Sequence, residues 1–301
     1  MFGSLVNVRQ MMEVLVVGDM NLFSGLEALG FDSLDEVEIF EEKKTQEDEK
    51  EEKIEEFHEE DMLFFKTYQC PVCDHENKVL AVRLGKLRSS GIDTDLRPVY
   101  EKMDPLKYDA VVCEQCGYAA LTKFFPNIML RQQKLVKEKI TSSFKGINND
   151  LQVYSYDEAI LRHKMALLCS VVKGGKDSEK AYTCLKLAWI LRGKRESLSA
   201  DGMKAKQIEK ELLKEEKTLL VKAYAGFDAA FSSEPFPMCG MDQVTVMCIM
   251  ADLARRCGQY QVSKRWISRI LVDKATPERI KNKMRDLKEL ISKEEKIAER
   301  G

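Results

Sequence analysis

The feature that most constrains this chain is a pair of C-x-x-C motifs, Cys70-Pro-Val-Cys73 and Cys113-Glu-Gln-Cys116, the second continuing into Gly117-Tyr118. Each motif makes a tight turn that aims two thiolates at one point, and together they supply the four soft ligands of a tetrahedral zinc site. Four cysteines close the coordination shell and leave no position for a reacting water, so the site reads as structural rather than catalytic. A redox pair would sit at the start of a helix after a strand. Here Asp74-His75-Glu76-Asn77-Lys78 continues as a turn into a strand, and a second pair would be left unexplained. Cys70, Cys73, Cys113 and Cys116 are therefore the expected ligands of one structural Zn2+ per chain. His75, beside the first knuckle, reads as a turn residue because four thiolates already suffice.

The flanking residues carry a strand pattern. Met62 to Gln69 is aromatic and β-favouring, Lys78 to Lys86 alternates as a returning strand, and Asp109 to Val112 enters the second knuckle. Strand, knuckle, strand, then strand and knuckle is the order of a zinc ribbon. Gly117 supplies the positive φ that turns backbone N–H groups back toward sulfur, and Asp74 occupies the matching position at the first knuckle. The 39 residues from Asp74 to Val112 exceed the simplest ribbon spacing of roughly 15 to 20. They must hold an insertion, Leu87 to Tyr108, with turn signals at Gly91, Pro98 and Pro105. A structured loop of this kind is a natural place for binding.

Behind the second knuckle the pattern becomes helical. Ala119 to Ser143 is expected to begin as a helix and restart at Pro126. Asp157 to Val172, Ser178 to Arg192, Ala200 to Phe231, Asp242 to Cys257, Val262 to Lys274 and Pro277 to Glu299 follow, punctuated by Gly174-Gly175, Gly193, Pro235, Pro237 and Gly258. Around Gly258, the positions Ala251, Ala254, Tyr260, Ser263, Ile267 and Ile270 fall at tetratricopeptide-like spacings, and Ala181, Leu185 and Ala188 repeat the second half of the pattern. The match is partial: Met247, Ser263 and Ala275 stand where the repeat favours Trp, Ala and Pro. An unrelated antiparallel bundle is the competing reading. The expected fold is thus α+β, a small β-rich four-cysteine zinc-ribbon-like module followed by an all-α tetratricopeptide-like domain. The divisions are 1–61, 62–125 with the 87–108 insertion, and 126–301.

Charge divides the chain at the same place. The overall balance is -2, yet residues 32–61 hold sixteen acidic side chains against four lysines, and residues 62–301 carry +12. The stretch 41–61 is too polar to bury a core and reads as a solvated linker. Ahead of it, Leu22, Phe23, Leu26 and Leu29 share one helical face that ends at Gly30, a short amphipathic helix that packs on its own protein or docks in a partner's groove. The coherent pattern starts after Met20, an alternative start to Met1. Nine cysteines with no even framework, no secretory signal and no apolar run of about 18 residues predict reduced thiols, a cytoplasmic location and no membrane insertion.

No phosphate-binding loop, dinucleotide fingerprint, Gly-x-Ser-x-Gly or His-Glu-x-x-His motif is present. His58, His75 and His163 are the only histidines, and nothing nominates a nucleophile or general base. Trp189 and Trp266 read as core. Basic residues spread over the helices without interleaved aromatics, which is the pattern of a solvated surface.

Four stretches in order carry a family resemblance: Tyr68-Gln-Cys-Pro-Val-Cys73, Asp93-Thr-Asp-Leu-Arg-Pro-Val-Tyr100, Asp104-Pro-Leu-Lys-Tyr-Asp109 and Val111-Val-Cys-Glu-Gln-Cys-Gly-Tyr-Ala-Ala120. Over roughly residues 62–280 the chain resembles the bacterial domain-of-unknown-function family 2225. The resemblance implies a bacterial source and metal ligands at Cys70, Cys73, Cys113 and Cys116, and it transfers no reaction. Arg97, Pro98, Tyr100, Pro105 and Tyr108 belong to the same pattern, with Arg97, Tyr100 and Tyr108 the candidates for a binding loop. The expected function is a non-enzymatic cytoplasmic zinc-binding adaptor whose helices bind a protein or peptide. The alternative is a nucleic-acid-associated protein that contacts phosphates through Lys78, Arg83, Lys86, Arg88 and Arg97.

Overall fold

Each C-x-x-C motif sits at the tip of an antiparallel hairpin. Strand β1 (Leu63–Gln69) pairs with β2 (Glu76–Val82), from Leu63 opposite Val82 to Gln69 opposite Glu76, and the first knuckle is the connection. Strands β5 (Ala110–Val112) and β6 (Ala119–Leu121) pair across the second knuckle, Ala110 opposite Leu121. Between them, β3 (Ser89–Ile92) and β4 (Pro98–Tyr100) form a third hairpin with a register shift between Ser89 and Gly91. These facts come from a computed structural model that describes residues 57–198 and 203–298. The amphipathic stretch from Asn21 to Gly30 and the acidic residues up to 56 lie outside the described residues.

Three expectations are corrected here. Ala119–Leu121 is a strand, not the first turn of a helix. The positive φ of Gly117 reverses the chain and the Cys113 amide donates to the Tyr118 carbonyl, so ladder pairing with β5 overrides the helical propensity of the two alanines. The insertion is not loop throughout, because it contains β3, β4 and a 3-10 turn at Pro105–Tyr108 capped by the Asp104 side chain. The returning strand also stops earlier than its pattern suggests, at Val82, and Leu84–Lys86 is a 3-10 turn.

Seven α-helices follow among the described residues: α1 (Leu130–Val136), α2 (Tyr156–Val172), α3 (Asp177–Glu196), α4 (Met203–Ser233), α5 (Gln243–Arg256), α6 (Tyr260–Val272) and α7 (Glu278–Ala298). Local signals set their ends. Ser155 caps α2 by accepting from the Glu158 amide, Asp242 caps α5 by accepting from the Thr245 amide, and Gly258, at φ 75°, reverses the chain between α5 and α6. Along α3 the buried positions run almost continuously from Cys184 to Gly193, which marks a helix enclosed on all sides. Gly226 of α4 lets that helix come close: a Cβ there would lie 2.9 Å from the Ala181 Cβ.

The hairpins and helices share one interior. The cysteine knuckles and β5–β6 pack with Val136 of α1, Ile140, and Ala166 and Cys169 of α2 in a single apolar cluster. A second cluster joins Leu106 of the insertion to α3, α4 and α5, and a third joins α5, α6 and α7. Residues Glu56–Gly301 accordingly group as one compact unit. No described helix is long and apolar enough to cross a membrane.

Candidate metal centre

The two knuckles repeat each other atom for atom. In the first, the Asp74 amide donates to the Cys70 carbonyl at 2.9 Å and the Cys70 amide to the His75 carbonyl at 2.8 Å. In the second, Gly117 donates to Cys113 at 2.9 Å and Cys113 to Tyr118 at 2.8 Å. Both turns need a left-handed residue, Asp74 at φ 62° and Gly117 at φ 74°. With the chain reversed this way, the amides of Val72 and Cys73 reach the Cys70 sulfur, those of Gln115 and Cys116 reach Cys113, and that of Tyr118 reaches Cys116. N–H dipoles aimed at sulfur favour thiolate, the form a metal binds.

The four sulfurs lie within 4.8 Å of one another, with Cys70 to Cys116 and Cys73 to Cys113 each 3.6 Å apart. A tetrahedron with metal–sulfur bonds of about 2.3 Å has edges of about 3.8 Å, close to the two 3.6 Å pairs, so the donor set could hold a tetrahedral ion. Cys70 and Cys113 are fully buried and Cys116 is nearly so, within a wall that includes Val72, Val112, Tyr118 and Ala119. Without a cation, protons distribute unevenly. Hydrogen bonds from the Cys116 and Cys70 thiols hold Cys113 far below the ordinary thiol range, whereas the Cys113 sulfur and then burial push Cys70 up to about 12. Cys116 is pushed up by Cys113 and Cys70. Cys113 thus favours the thiolate while Cys70 and Cys116 favour the thiol, an imbalance that a bound divalent cation would remove. No other cluster of three or more metal-binding side chains occurs among the described residues.

A polar frame ties the knuckles together. Asn77, fully buried, accepts from the Glu114 amide at 3.0 Å and donates to the carbonyls of Tyr68 and His75. His75 Nε2 lies 2.9 Å from Glu114 Oε1, so the histidine faces the opposite knuckle's carboxylate and not the sulfurs. Thr141 donates to the Cys116 carbonyl at 2.9 Å, and the Cys169 sulfur of α2 accepts from the Ala119 amide at 3.3 Å. Asn77 was legible in principle, since it takes an inward position of β2 in register with Val79. Cys169 had no sequence signal that ties it to the knuckle.

The candidate binding-loop residues take separate places. Arg97 is buried, its Nε 2.6 Å from Asp93 and its terminal nitrogen 2.6 Å from Glu196. Tyr108 is buried, stacked on Tyr154 with centroids 5.0 Å apart, and donates its hydroxyl to Glu59 at 2.7 Å. Tyr100 is half-buried and lines one cleft with Arg97 and another with Tyr108. Lys78, Arg83, Lys86 and Arg88 are exposed.

The insertion's deepest contact was not legible. Asp95 is completely buried, accepting from Arg192 at 2.7 and 3.1 Å and from the Trp189 indole at 3.0 Å. Thr94 beside it donates to Asp252 of α5 at 2.8 Å, and Arg192 continues to Glu216 of α4 at 2.7 Å. Burial opposes ionisation of Asp95, but the hydrogen bonds and charge of Arg192, then Arg256 and Trp189, outweigh it and hold the carboxyl below its usual range. Beside this anchor opens a cleft of about 500 Å3 walled by Ile92, Leu96, Ile280, Met284, Leu287 and Leu290. Arg279, Lys283 and Asp286 stand at its edge.

Against known proteins, a family model described as "uncharacterized protein conserved in bacteria" (DUF2225) matches residues 63–291. No curated protein and no solved structure matches the chain.

Proposed function

The chain belongs to DUF2225, a family of uncharacterized proteins conserved in bacteria, and on that footing we propose that it is a non-enzymatic cytoplasmic adaptor. In this reading one zinc ion sits in the Cys70, Cys73, Cys113 and Cys116 shell, and the helices bind a protein or peptide. The carrying observation is the combination of a closed thiolate set with an apolar cleft held open elsewhere, between the insertion and α7. Structural zinc fits because four sulfurs leave no coordination position for substrate. The cleft is suited to the apolar face of a short helix or peptide, with Arg279 and Lys283 at its edge to meet acidic flanks. The tetratricopeptide-like reading is supported at the α5–α6 pair, where Ala251, Ala254, Ser263, Ile267 and Ile270 are all buried.

The phosphate-contacting alternative is weakened at one position, since Arg97 is committed to Asp93 and Glu196. The test is twofold. Metal analysis of the purified full chain should return one zinc per chain, and Cys113→Ser should remove it. Cross-linking in the bacterial host should map a partner peptide to Ile92–Leu96 and α7, with loss in Leu290→Asp. Zinc retained by Cys113→Ser would overturn the metal half. Cross-links unaffected by Leu290→Asp, or salt-dependent binding to RNA or DNA, would overturn the other.

A further inference from the structure

A second cleft, sharing no lining residue with the first, has a volume of about 580 Å3 and lies where β1–β2, the insertion and α3 meet. Its size falls in the range of small-molecule sites, roughly 300 to 1,000 Å3. Its walls are largely apolar or aromatic, with Leu84, Pro98, Tyr68 and Tyr100 among them. Its polar groups are few and mostly cationic: Lys66, Lys123 and Lys186 against the single carboxylate of Asp109, an excess of two positive charges.

The three lysines differ in how they are held. Lys186 is nine-tenths covered and locked to Asp109 at 2.8 Å, and Asp109 is held from its other side by the Thr122 hydroxyl at 2.8 Å. That pair is self-satisfied and forms a rigid floor. Lys66 and Lys123 are exposed and have no carboxylate partner among the described residues. Lys66 lies 4.9 Å from the Tyr68 ring centroid, and Lys123 donates to the Cys239 carbonyl, which fixes it in place without neutralising it. Behind the floor is a fully buried histidine, His163. Its Nδ1 lies 2.7 Å from the Ala159 carbonyl, and its Nε2 has no partner.

We propose that this cleft binds a small organic dianion with a flat apolar body, an aryl phosphate monoester by chemical class. Two ammonium groups with unspent charge suit a dianionic phosphate better than a monoanionic carboxylate. Tyr68, Tyr100 and Pro98 supply the surface against which a ring would lie. The site is one of binding and not of chemistry, because Asp109, whose charge Lys186 fixes, is not free to take a proton.

The probe is phenyl phosphate, titrated calorimetrically into the zinc-loaded full chain, with inorganic phosphate and phenol as single-feature controls. Saturable binding of phenyl phosphate is expected, at least tenfold tighter than either control. Lys66→Ala/Lys123→Ala should abolish it without moving the thermal midpoint, and Tyr100→Ala should weaken it severalfold. The proposal is overturned if phenyl phosphate does not bind, if inorganic phosphate binds as tightly, or if the double lysine variant binds unchanged. These outcomes are independent of the peptide cleft, which none of the variants touches.

Discussion

Gly117 shows how much one residue can decide. It holds φ 74°, and a Cβ there would lie 2.5 Å from Cγ of Phe144. Gly117→Ala adds left-handed strain to a steric clash and should lower the stability of the metal-loaded chain by about 2 to 4 kcal/mol in urea unfolding. Asp74 holds the same backbone conformation at φ 62° but is exposed. Asp74→Gly should therefore be neutral or stabilising by up to about 1 kcal/mol, and the opposite signs at two matching positions make the comparison stringent. His163 offers a pH test. Burial holds its imidazole below the usual range, with Lys186 adding to the effect while the Ala159 carbonyl and Asp109 oppose it. The unfolded chain therefore binds that proton first, so the stability His163 contributes is present above about pH 6.5 and is lost as pH falls below it. His163→Met should flatten the acid limb of the stability profile by up to about 1.4 kcal/mol per pH unit relative to the parent. The cysteines and the knuckle turns were legible because their chemistry is local in sequence. Asn77 was legible only as an inward position of β2, because its Glu114 partner lies 37 residues away, and Cys169 was not legible at all, since it meets the Ala119 amide 50 residues away.

At the scale of elements, β5–β6 pack directly on α2, whereas the insertion from Leu87 to Tyr108 joins the hairpins to the later helices. Its Asp93-Thr94-Asp95 tip reaches α3 and α5, where Asp95 meets Arg192 and Thr94 meets Asp252. Asp95→Asn leaves the Arg192 guanidinium buried and underpaired, and should destabilise the unit by about 3 to 5 kcal/mol in chemical denaturation. A double-mutant cycle with Arg192→Met should return a coupling of more than about 1 kcal/mol, because two vacated partners cost less than one stranded charge. The helices from α2 onward were legible within a few residues because Gly174-Gly175, Asp242 and Gly258 are local punctuation. Ala119–Leu121 was not, because a strand of three residues with alanine propensity is set by its partner β5 and not by its own sequence. The β3–β4 hairpin was hidden for a similar reason: Ser89–Ile92 is exposed along its whole length and carries no apolar alternation.

The whole unit should respond to its metal as one body. Val136, Ile140, Ala166 and Cys169 pack in the same cluster as the knuckles, so the first helices have no interior independent of the site. Chelation should lower the unfolding midpoint of the helical signal together with that of metal release, both transitions coinciding, with apparent metal stabilisation on the order of 10 kcal/mol. A helical transition that stays put when the metal is removed would show that the helices fold alone. The position of the ligands along the chain adds a consequence of another kind. Cys73 and Cys113 are 40 residues apart in sequence, and everything between them, including Asp95, is a closed ring once both are bound to one ion. A ring of that length removes about 4 kcal/mol of freedom from the unfolded chain, by the estimate used for covalent cross-links. A bound metal would thus act as a reversible clasp on the polymer. By shortening the search that brings Asp95 to Arg192, it should speed refolding most where the loop must travel farthest.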